Sequence, residues 1–281
     1  MAVLLIPNTI KDSGLAVTRR AAALLRDLGV TVLMPQPEEH QAELSGVLCL
    51  PEAQAYEKAD QVLTIGGDGT LLRAGHACVC YGKPVLGVNL GRTGFLATCE
   101  VEELPEKLRR LAAGEYKLST RGLLAVDNAS GNWHAQAIND VVLFGRTRLH
   151  PMDYKVYCDG CFVSSYRSDG LILATPTGST AYSFSAGGPV LDGNADVMVL
   201  TPVCAHNVHT APLVFACGRT LELVADEENR DTCYACADSG PRCDLQPGDS
   251  IRVTASAQKL QLVTFADSEQ FCAIENKLMR R

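Results

Sequence analysis

The chain contains 281 residues, of which 47% are hydrophobic and 20% are charged, and its formal net charge is −7. These values are typical of a folded protein with one or, more often at this length, two domains, and they exclude a disordered chain. The negative charge provides no general attraction for nucleic acid or anionic membranes, so any anion site must be built locally.

The sequence offers no apolar run near the ~20 residues that a membrane-spanning helix requires. Residues 2–6 are apolar but follow no cationic leader, so they predict a first buried strand rather than a signal sequence. We therefore expect a cytoplasmic protein that has neither a membrane nor nucleic acid as its partner.

Strands and helices alternate over the first third of the chain. After the strand over residues 2–6, Asp12 or Ser13 is expected to cap a helix that ends at Gly29. Further strands are predicted over residues 30–34, 47–50, 62–65 and 84–88, and an amphipathic helix over residues 102–113. This alternation indicates a parallel sheet with helices on its faces, whose ligands bind where the carboxyl ends of the strands meet the loops.

The 62–65 strand runs directly into the stretch Gly66-Gly67-Asp68-Gly69-Thr70, after which a helical pattern begins. The amides of such a loop and of the helix N-terminus bind phosphate oxygens, and glycine allows the backbone to approach them closely. Asp68 is then an acid inside an anion site, where it would bind Mg²⁺ carried by the phosphates or remove a proton from an attacking hydroxyl. The alternative is an ordinary strand-to-helix turn in which Asp68 caps the helix.

From about residue 116 the pattern changes to short β-rich runs separated by turn signals. Strands are predicted over residues 123–127, 137–144, 153–158, 162–166, 171–174, 197–200, 220–224 and 251–255. This spacing predicts an all-β, sandwich-like second domain.

A tract of small hydroxyl residues and glycines, from Thr175 to Pro189, follows the 171–174 strand. Its many donors and acceptors suit a sugar, an amide or a phosphate, although the same residues also form ordinary loops. Asn139 and Asp140 lie side by side, where they either bind a ribose diol or cap a strand or turn.

The twelve cysteines are expected to be mainly buried free thiols, because a cytoplasmic chain of this length rarely relies on disulfides. Cys158/Cys161 and Cys233/Cys236 have C-x-x-C spacing, which leaves a zinc site as an alternative. The first pair also encloses Asp159-Gly160, a turn signal that indicates a β-hairpin.

Common enzyme motifs are missing from the sequence: it has no G-x-x-x-x-G-K-[ST] phosphate loop, no H-E-x-x-H and no G-x-S-x-G. The G-G-D-G spacing also differs from G-x-G-x-x-G, which excludes a Rossmann dehydrogenase.

Three motifs together resemble the NAD kinase family, in order and over nearly the whole chain. They are Gly66-Gly67-Asp68-Gly69-Thr70, Asn139-Asp140, and Thr175-Pro176-Thr177-Gly178-Ser179-Thr180-Ala181-Tyr182-Ser183 with Ala186-Gly187-Gly188-Pro189. The resemblance implies transfer of a phosphoryl group to the adenosine ribose 2′-hydroxyl of NAD, which gives NADP. The donor would be ATP or polyphosphate, with Mg²⁺ or another divalent cation carried by ATP.

The family fold agrees with an N-terminal Rossmann-like α/β phosphate-binding domain over residues 1–115 and a C-terminal β-sandwich NAD-binding domain over residues 116–256. The resemblance adds that residues 257–281 return to the first domain and that the protein is a homodimer or homotetramer. Two alternatives stay open: a lipid or other small-molecule kinase that shares the G-G-D-G-T loop, and a catalytically silent NAD-binding sensor.

The resemblance also implies the site residues. Asp68 would be the general base, and the donor phosphates would contact Gly66, Gly67, Gly69, Thr70 and Arg73. NAD would contact Asp68, Gly69, Asn139, Asp140, His150, Arg167, Asp169, Thr180, Ala181, Tyr182, Ser183 and Ser185. One departure is that the family's Asp-Gly-Gln turn is matched here by Asp238-Ser239-Gly240, so a late polar contact is missing.

Overall fold

The computed structural model describes residues 1–36, 44–91, 94–147, 150–206, 210–266 and 269–275. The chain divides into two compact units: unit 1 contains Met1–Thr120 and Leu260–Arg281, and unit 2 contains Arg121–Lys259. The domain bounds expected from sequence, at 115/116 and 256/257, and the functions assigned to the domains stay predictions.

Strands and helices alternate in the N-terminal part of the chain. The elements are β1 (Ala2–Pro7), α1 (Ala16–Asp27), β2 (Thr31–Pro35), β3 (Leu48–Leu50), α2 (Glu52–Lys58), β4 (Gln61–Gly66), α3 (Asp68–Tyr81), β5 (Val85–Asn89), β6 (Cys99–Glu100) and α4 (Leu104–Ala112). Short 3-10 turns at Ser13–Leu15 and Val101–Glu103 precede α1 and α4.

The remainder of the chain is dominated by strands. The elements are β7 (Lys117–Asn128), β8 (His134–Ala137), β9 (Asp140–Gly145), β10 (Met152–Cys158), β11 (Cys161–Ser168), β12 (Gly170–Ala174), α5 (Tyr182–Ser185), β13 (Val197–Val203), β14 (Leu213–Ala216), β15 (Leu221–Ala225), β16 (Cys233–Ala237), β17 (Cys243–Leu245), β18 (Ser250–Thr264) and α6 (Glu269–Ile274). A 3-10 turn at Gly178–Thr180 precedes α5.

The sheet of unit 1 is parallel and has the strand order β3-β2-β1-β4-β5. β6 and the end of β18 also pair with β5, the latter through Leu262 and Val85. The chain moves outward from β1 to β3 and then returns to β4, so the strand order reverses between β1 and β4. Ligands of such sheets bind outside the carboxyl ends of the strands at this switch point.

Apolar strands and one stripe of each helix form the core of unit 1. β4 and β5 are buried along their whole length, as is typical of parallel strands covered on both faces. α4 buries Leu104, Leu108 and Leu111, whose spacing of three and four residues places them on one helical face. The expectation that Asp12 or Ser13 caps α1 is wrong, because the N-cap position is occupied by Leu15. The carboxylate of Asp12 still accepts hydrogen bonds from the amides of Val17 and Thr18 in the first turn of this helix.

Unit 2 contains two antiparallel sheets. One has the order β14-β13-β12-β9-β16-β17, and the other contains β11, β10, β15 and the first part of β18, with β7 pairing to β18 and β8. Alternate apolar residues of both sheets form a shared core, which includes Leu143, Leu171, Val156 and Leu223. The predicted fold class, a Rossmann-like α/β domain followed by a β-sandwich, is confirmed.

The single strand predicted over residues 137–144 is wrong. β8 ends at Ala137 and β9 begins at Asp140, because the amides of Ile138 and Asn139 are bound by the carboxylate of Asp238. The predicted hairpin is present: β10 and β11 pair up to Cys158 and Cys161 around the Asp159-Gly160 turn. None of the helices in the described ranges is long and apolar enough to cross a membrane.

Candidate active site

The segment that joins β4 to α3 is closely packed at Gly66 and more open at Gly69. A Cβ on Gly66 would overlap the hydroxyl of Thr70 and come within 2.8 Å of the Cβ of Asn8. Gly67, with φ 153°, is the N-cap of α3. A Cβ on Gly69 would meet no described residue within 4 Å. The backbone beside Gly69 is therefore accessible among the described residues, at the N-terminus of a 14-residue helix, the kind of position at which proteins bind anions.

Asp68 is the first residue of α3, and its carboxylate is held by a neighbouring loop. Its Oδ2 accepts a hydrogen bond from the amide of Phe95 at 2.9 Å, and Oδ1 accepts from the amides of Leu96 at 3.0 Å and Ala97 at 2.9 Å. The suggestion that Asp68 is a simple helix cap is therefore wrong, since the N-cap position is occupied by Gly67 without a side-chain cap. Three backbone donors fix the position and orientation of this carboxylate.

The loop that holds Asp68 requires glycine at position 94. A Cβ on Gly94 would overlap Oδ1 of Asp68 and lie 2.9 Å from the carbonyl oxygen of Ala97. Gly87, in β5, also allows this loop to pack closely, because a Cβ there would lie 2.7 Å from the Cα of Ala97. The close fit of backbone to carboxylate thus depends on two residues without side chains.

Sequence reasoning missed two polar residues in the loop after β1. Nδ2 of Asn8 donates a hydrogen bond to the hydroxyl of Thr70 at 3.1 Å, which ties the β1 and β4 exits together at the switch point. Nζ of Lys11 lies 3.0 Å from the position a Cβ would take on Gly67, and 3.8 Å from that position on Gly91. No motif marks Lys11, but the adjacency of β1 and β4 in a Rossmann-like sheet is the signal that could have found it.

Thr70 and Arg73, which were also predicted to contact the donor phosphates, differ in their exposure. Thr70 is buried, and its hydroxyl accepts the hydrogen bond from Asn8, so this side chain joins two loops. Arg73 is exposed, about one turn into α3.

In unit 2, Asn139 and Asp140 form a tightly hydrogen-bonded corner at the start of β9. The carboxylate of Asp238 accepts from the amides of both residues, at 2.9 and 3.1 Å, and the amide of Asp238 donates to the carbonyl of Asp140 at 2.8 Å. On the other side, the amide of Thr175 donates to the carbonyl of Asn139 at 2.8 Å. A Cβ on Gly178 would overlap the backbone of Asn139. The Asn139-Asp140 motif and the start of the hydroxyl-rich tract at residues 175–178 are therefore packed against each other.

Asp140 is 6% exposed, and its environment disfavours the charged form. Burial, with a smaller contribution from the charge of Asp238, raises the pKa of the Asp140 carboxyl from 3.8 to about 7. A carboxyl with such a pKa exchanges its proton in the neutral range, as groups at ligand sites often do. Asp238 was not assigned a role from the sequence; its position beside Asp140 follows from the pairing of β16 with β9.

The hydroxyl-rich tract covers the outer face of the β9–β12 sheet. Tyr182 is 40% exposed and stacks on Phe144, with ring centroids 5.8 Å apart, and Phe144 in turn stacks on Tyr234 at 6.4 Å. Ser183 is fully buried, with its hydroxyl 2.8 Å from that of Thr201. Tyr182 thus presents a ring to the outside, whereas the Ser183 side chain is part of the interior.

Three further members of this tract were predicted to contact NAD. Thr180 donates from its hydroxyl to the carbonyl of Thr177 at 3.1 Å, Ala181 is half-buried, and Ser185 is exposed.

The structure separates three predicted residues from the Asn139–Asp140 corner. In the β9–β12 ladder Ala174 pairs with Asp140, whereas Gly170 pairs with Phe144. Asp169, next to Gly170, therefore lies beyond the other end of the ladder, five positions from Ala174 and so about 17 Å away at ~3.3 Å per residue. Arg167 and His150 lie near that same end. Arg167 forms an ion pair with Asp153 at 3.1 Å, and His150 is exposed two residues before Met152, whose register partner is Ser168.

Comparison with known proteins decides the family. The model of the ATP-NAD kinase N-terminal domain matches residues 3–116, and that of the ATP-NAD kinase C-terminal domain matches residues 138–265. The NAD kinase of Caldanaerobacter subterraneus subsp. tengcongensis is 31% identical over 287 residues, which cover 98% of each chain. The chain belongs to the NAD kinase family. The NAD kinase of Cellvibrio japonicus is 36% identical over 222 residues, or 78% of this chain and 74% of that one.

Solved structures of the NAD kinase family agree with the fold. Yeast NADH kinase, crystallised with NADH, superposes with a TM-score of 0.83 at 25% identity, over 99% of this chain and 87% of that one. The NAD kinase of Archaeoglobus fulgidus in complex with ATP has a TM-score of 0.75 at 24% identity, over 98% and 99%, and supports the fold alone. The resemblance drawn from sequence is confirmed, and neither the lipid-kinase nor the sensor alternative is favoured.

Proposed function

We propose that this protein is an NAD kinase that transfers the terminal phosphoryl group of ATP or polyphosphate to the adenosine ribose 2′-hydroxyl of NAD. The observation that carries the proposal is the setting of Asp68: a carboxylate fixed by three backbone amides at the N-terminus of a helix in which a Cβ on Gly69 would meet no described residue within 4 Å. We infer an anion site within one turn of this acid. This combination suits a reaction in which a hydroxyl attacks a phosphate.

We assign donor phosphate binding to unit 1. The amides around Gly67 and Gly69 supply hydrogen-bond donors, and Lys11, whose Nζ lies beside Gly67, supplies a positive charge. Arg73, on α3, is the second cation that we assign to the donor phosphates. These groups offset the charge of the donor phosphates without a G-x-x-x-x-G-K-[ST] loop.

A divalent cation is part of the proposal. The described residues contain no group of three His, Cys, Asp or Glu side chains arranged to hold a metal. Mg²⁺ is commonly held by one or two carboxylates together with substrate phosphates, so the fit here is to a cation carried by ATP. Such a cation neutralises charge on the transferred phosphoryl group.

We assign nucleoside recognition to unit 2. Asn139 offers amide donors and an acceptor, and Asp140, with a pKa of about 7, exchanges between donor and acceptor forms near neutral pH, which suits ribose hydroxyls. The exposed ring of Tyr182 is a stacking surface for a nucleobase. The residues near Asp169 lie at the far end of the ladder, so they would serve the other half of a dinucleotide.

The chemical step follows from these assignments. Asp68 accepts the proton of the ribose 2′-hydroxyl as the oxygen forms a bond to the terminal phosphorus. The bond between that phosphorus and the bridging oxygen breaks, the electron pair leaves with ADP, and the proton passes from Asp68 to solvent. General-base help of this kind contributes about 10²–10⁴-fold in rate, and the remainder comes from positioning and charge neutralisation.

We further propose that the protein forms a homodimer or homotetramer, that it is cytoplasmic, and that its phosphoryl donor is ATP or polyphosphate. Light scattering after size-exclusion chromatography tests the first.

The function itself is tested by incubating the purified chain with NAD, Mg²⁺ and either ATP or polyphosphate, and measuring NADP with an NADP-specific dehydrogenase. NADH replaces NAD in a parallel series, and reactions without donor are the control. Donor-dependent NADP formation supports the proposal. No product with either donor, although calorimetry detects NAD binding, would overturn it in favour of a sensor.

A further inference from the structure

The first residue of α6, Glu269, connects the C-terminal segment to the middle of unit 1. Its carboxylate accepts hydrogen bonds from the hydroxyl of Thr98 at 2.9 Å, the hydroxyl of Thr264 at 3.0 Å and the amide of Phe265 at 3.1 Å. The side chain is 17% exposed. A carboxylate that satisfies three donors from two distant parts of the chain is a structural junction.

Lys107, in α4, approaches the same junction from the opposite direction. Its Nζ donates to the carbonyl of Thr98 at 3.1 Å, and lies 2.9 Å from Oε2 of Glu103 and 3.8 Å from Oε1 of Glu269. The residue is only 8% exposed. A buried ammonium is tolerated only where it is paired, so the two carboxylates and the carbonyl account for its position. Thr98 is therefore held through both its hydroxyl and its carbonyl.

Thr98 directly follows the three residues whose amides hold Asp68. The segment 95–98 is thus fastened at one end to the Asp68 carboxylate and at the other to Glu269 and Lys107. Displacing Thr98 moves the amide of Ala97 with it, because adjacent Cα atoms are only ~3.8 Å apart. Gly94 and Gly87 leave this segment no room to shift without touching Asp68 or β5.

We propose that Glu269 and Lys107 are positioning residues for the phosphoryl transfer: they hold the 95–98 segment so that its amides orient the Asp68 carboxylate. Through Glu269, α6 therefore helps to set the orientation of the Asp68 carboxylate. This inference rests on the proposed catalytic role of Asp68, whereas the physical coupling between Thr98 and Asp68 is independent of that role.

The test uses Glu269→Gln and Lys107→Met in the full chain, with Arg109→Met as the matched control. Arg109 is on the same helix, is half-exposed and pairs with Glu106 and Glu115. Hydrogen exchange of the peptide covering residues 94–98 is measured first, because it needs no activity. We expect exchange to become roughly tenfold faster or more in the two test variants, and to stay unchanged in the control.

Steady-state kinetics then separate positioning from general stability. At a temperature at which circular dichroism shows the variants fully folded, kcat is expected to fall roughly 10- to 100-fold, with the KM for NAD within about twofold of wild type. Lys107→Arg, which keeps the charge, is expected to restore part of the loss. Unchanged exchange at 94–98, or wild-type kcat in the folded variants, would overturn the inference. If the wild-type chain forms no NADP while exchange still responds, the proposed function has failed and the coupling stands.

Discussion

The buried carboxyl of Asp140 makes the stability of unit 2 depend on pH, and Asp140→Asn isolates the effect. In the unfolded chain this group loses its proton near its ordinary pKa of 3.8, whereas in the folded protein it retains the proton up to about 7. Between these values the native state binds the additional proton, so stability falls as pH rises, and the loss is complete above about pH 7.

The magnitude follows from the shift. Each pH unit within this window costs about 1.4 kcal/mol, so the two units between pH 5 and pH 7 correspond to about 3 kcal/mol. Asparagine does not ionise and has nearly the same shape. The Asp140→Asn variant is therefore expected to gain about 3 kcal/mol relative to wild type when the pH is raised from 5 to 8.

The assay is urea unfolding followed by tryptophan fluorescence. Trp133 is the chain's single tryptophan and belongs to unit 2, so its emission reports the unit that contains Asp140. Asp244→Asn is the control, because that side chain is 59% exposed and exposed ion pairs contribute little to stability. Parallel stability profiles for wild type and Asp140→Asn from pH 5 to 8 would refute the reasoning.

Two further substitutions test the separate assignments of the units. Lys11→Met is expected to raise the KM for ATP roughly tenfold or more and leave the KM for NAD unchanged, because one charged hydrogen bond to phosphate is lost. Initial-rate kinetics measure both constants, with Lys58→Met, at an exposed lysine, as the control. An unaltered KM for ATP would remove Lys11 from the donor site. Gly178→Ala is expected to lose about 1–3 kcal/mol of stability and to weaken NAD binding in calorimetry, because its Cβ overlaps the Asn139 backbone. Gly218→Ala is the control, because its Cβ meets no described residue within 4 Å, and equal NAD affinity in both variants would contradict a role of the Asn139–Asp140 corner in NAD binding.

The α/β half of the fold could be predicted because its strands are continuous apolar runs and its long helices repeat apolar residues over several turns. α2 (Glu52–Lys58) was missed, since seven residues with only Ala55 and Tyr56 buried give less than two turns of pattern. β18 continues through the exposed Gln258 and Lys259, which interrupt the alternation that would reveal one long strand.

The site residues could be predicted where the residues that form the site are close together in the sequence. The stretch around Asp68 indicates a strand, a loop and a helix within nine residues. Its partners at 95–97 are 27 to 29 residues away, and Asp238 is about 100 residues from the corner that it holds, so only the fold reveals them. The buried hydroxyl of Ser183 shows the converse: a family motif identifies a segment, but the strand or helix decides which of its side chains face outward.

The most direct test of the account is turnover by Asp68→Asn, measured as NADP formed from NAD and ATP, together with the Kd for NAD from calorimetry. Asparagine retains the shape but cannot accept the ribose proton, so we expect kcat to fall by about 10²–10⁴-fold with the Kd for NAD unchanged. Asp27→Asn, at an exposed carboxylate near the end of α1, is expected to retain full activity. Wild-type turnover in Asp68→Asn would contradict the assignment of Asp68 as the base.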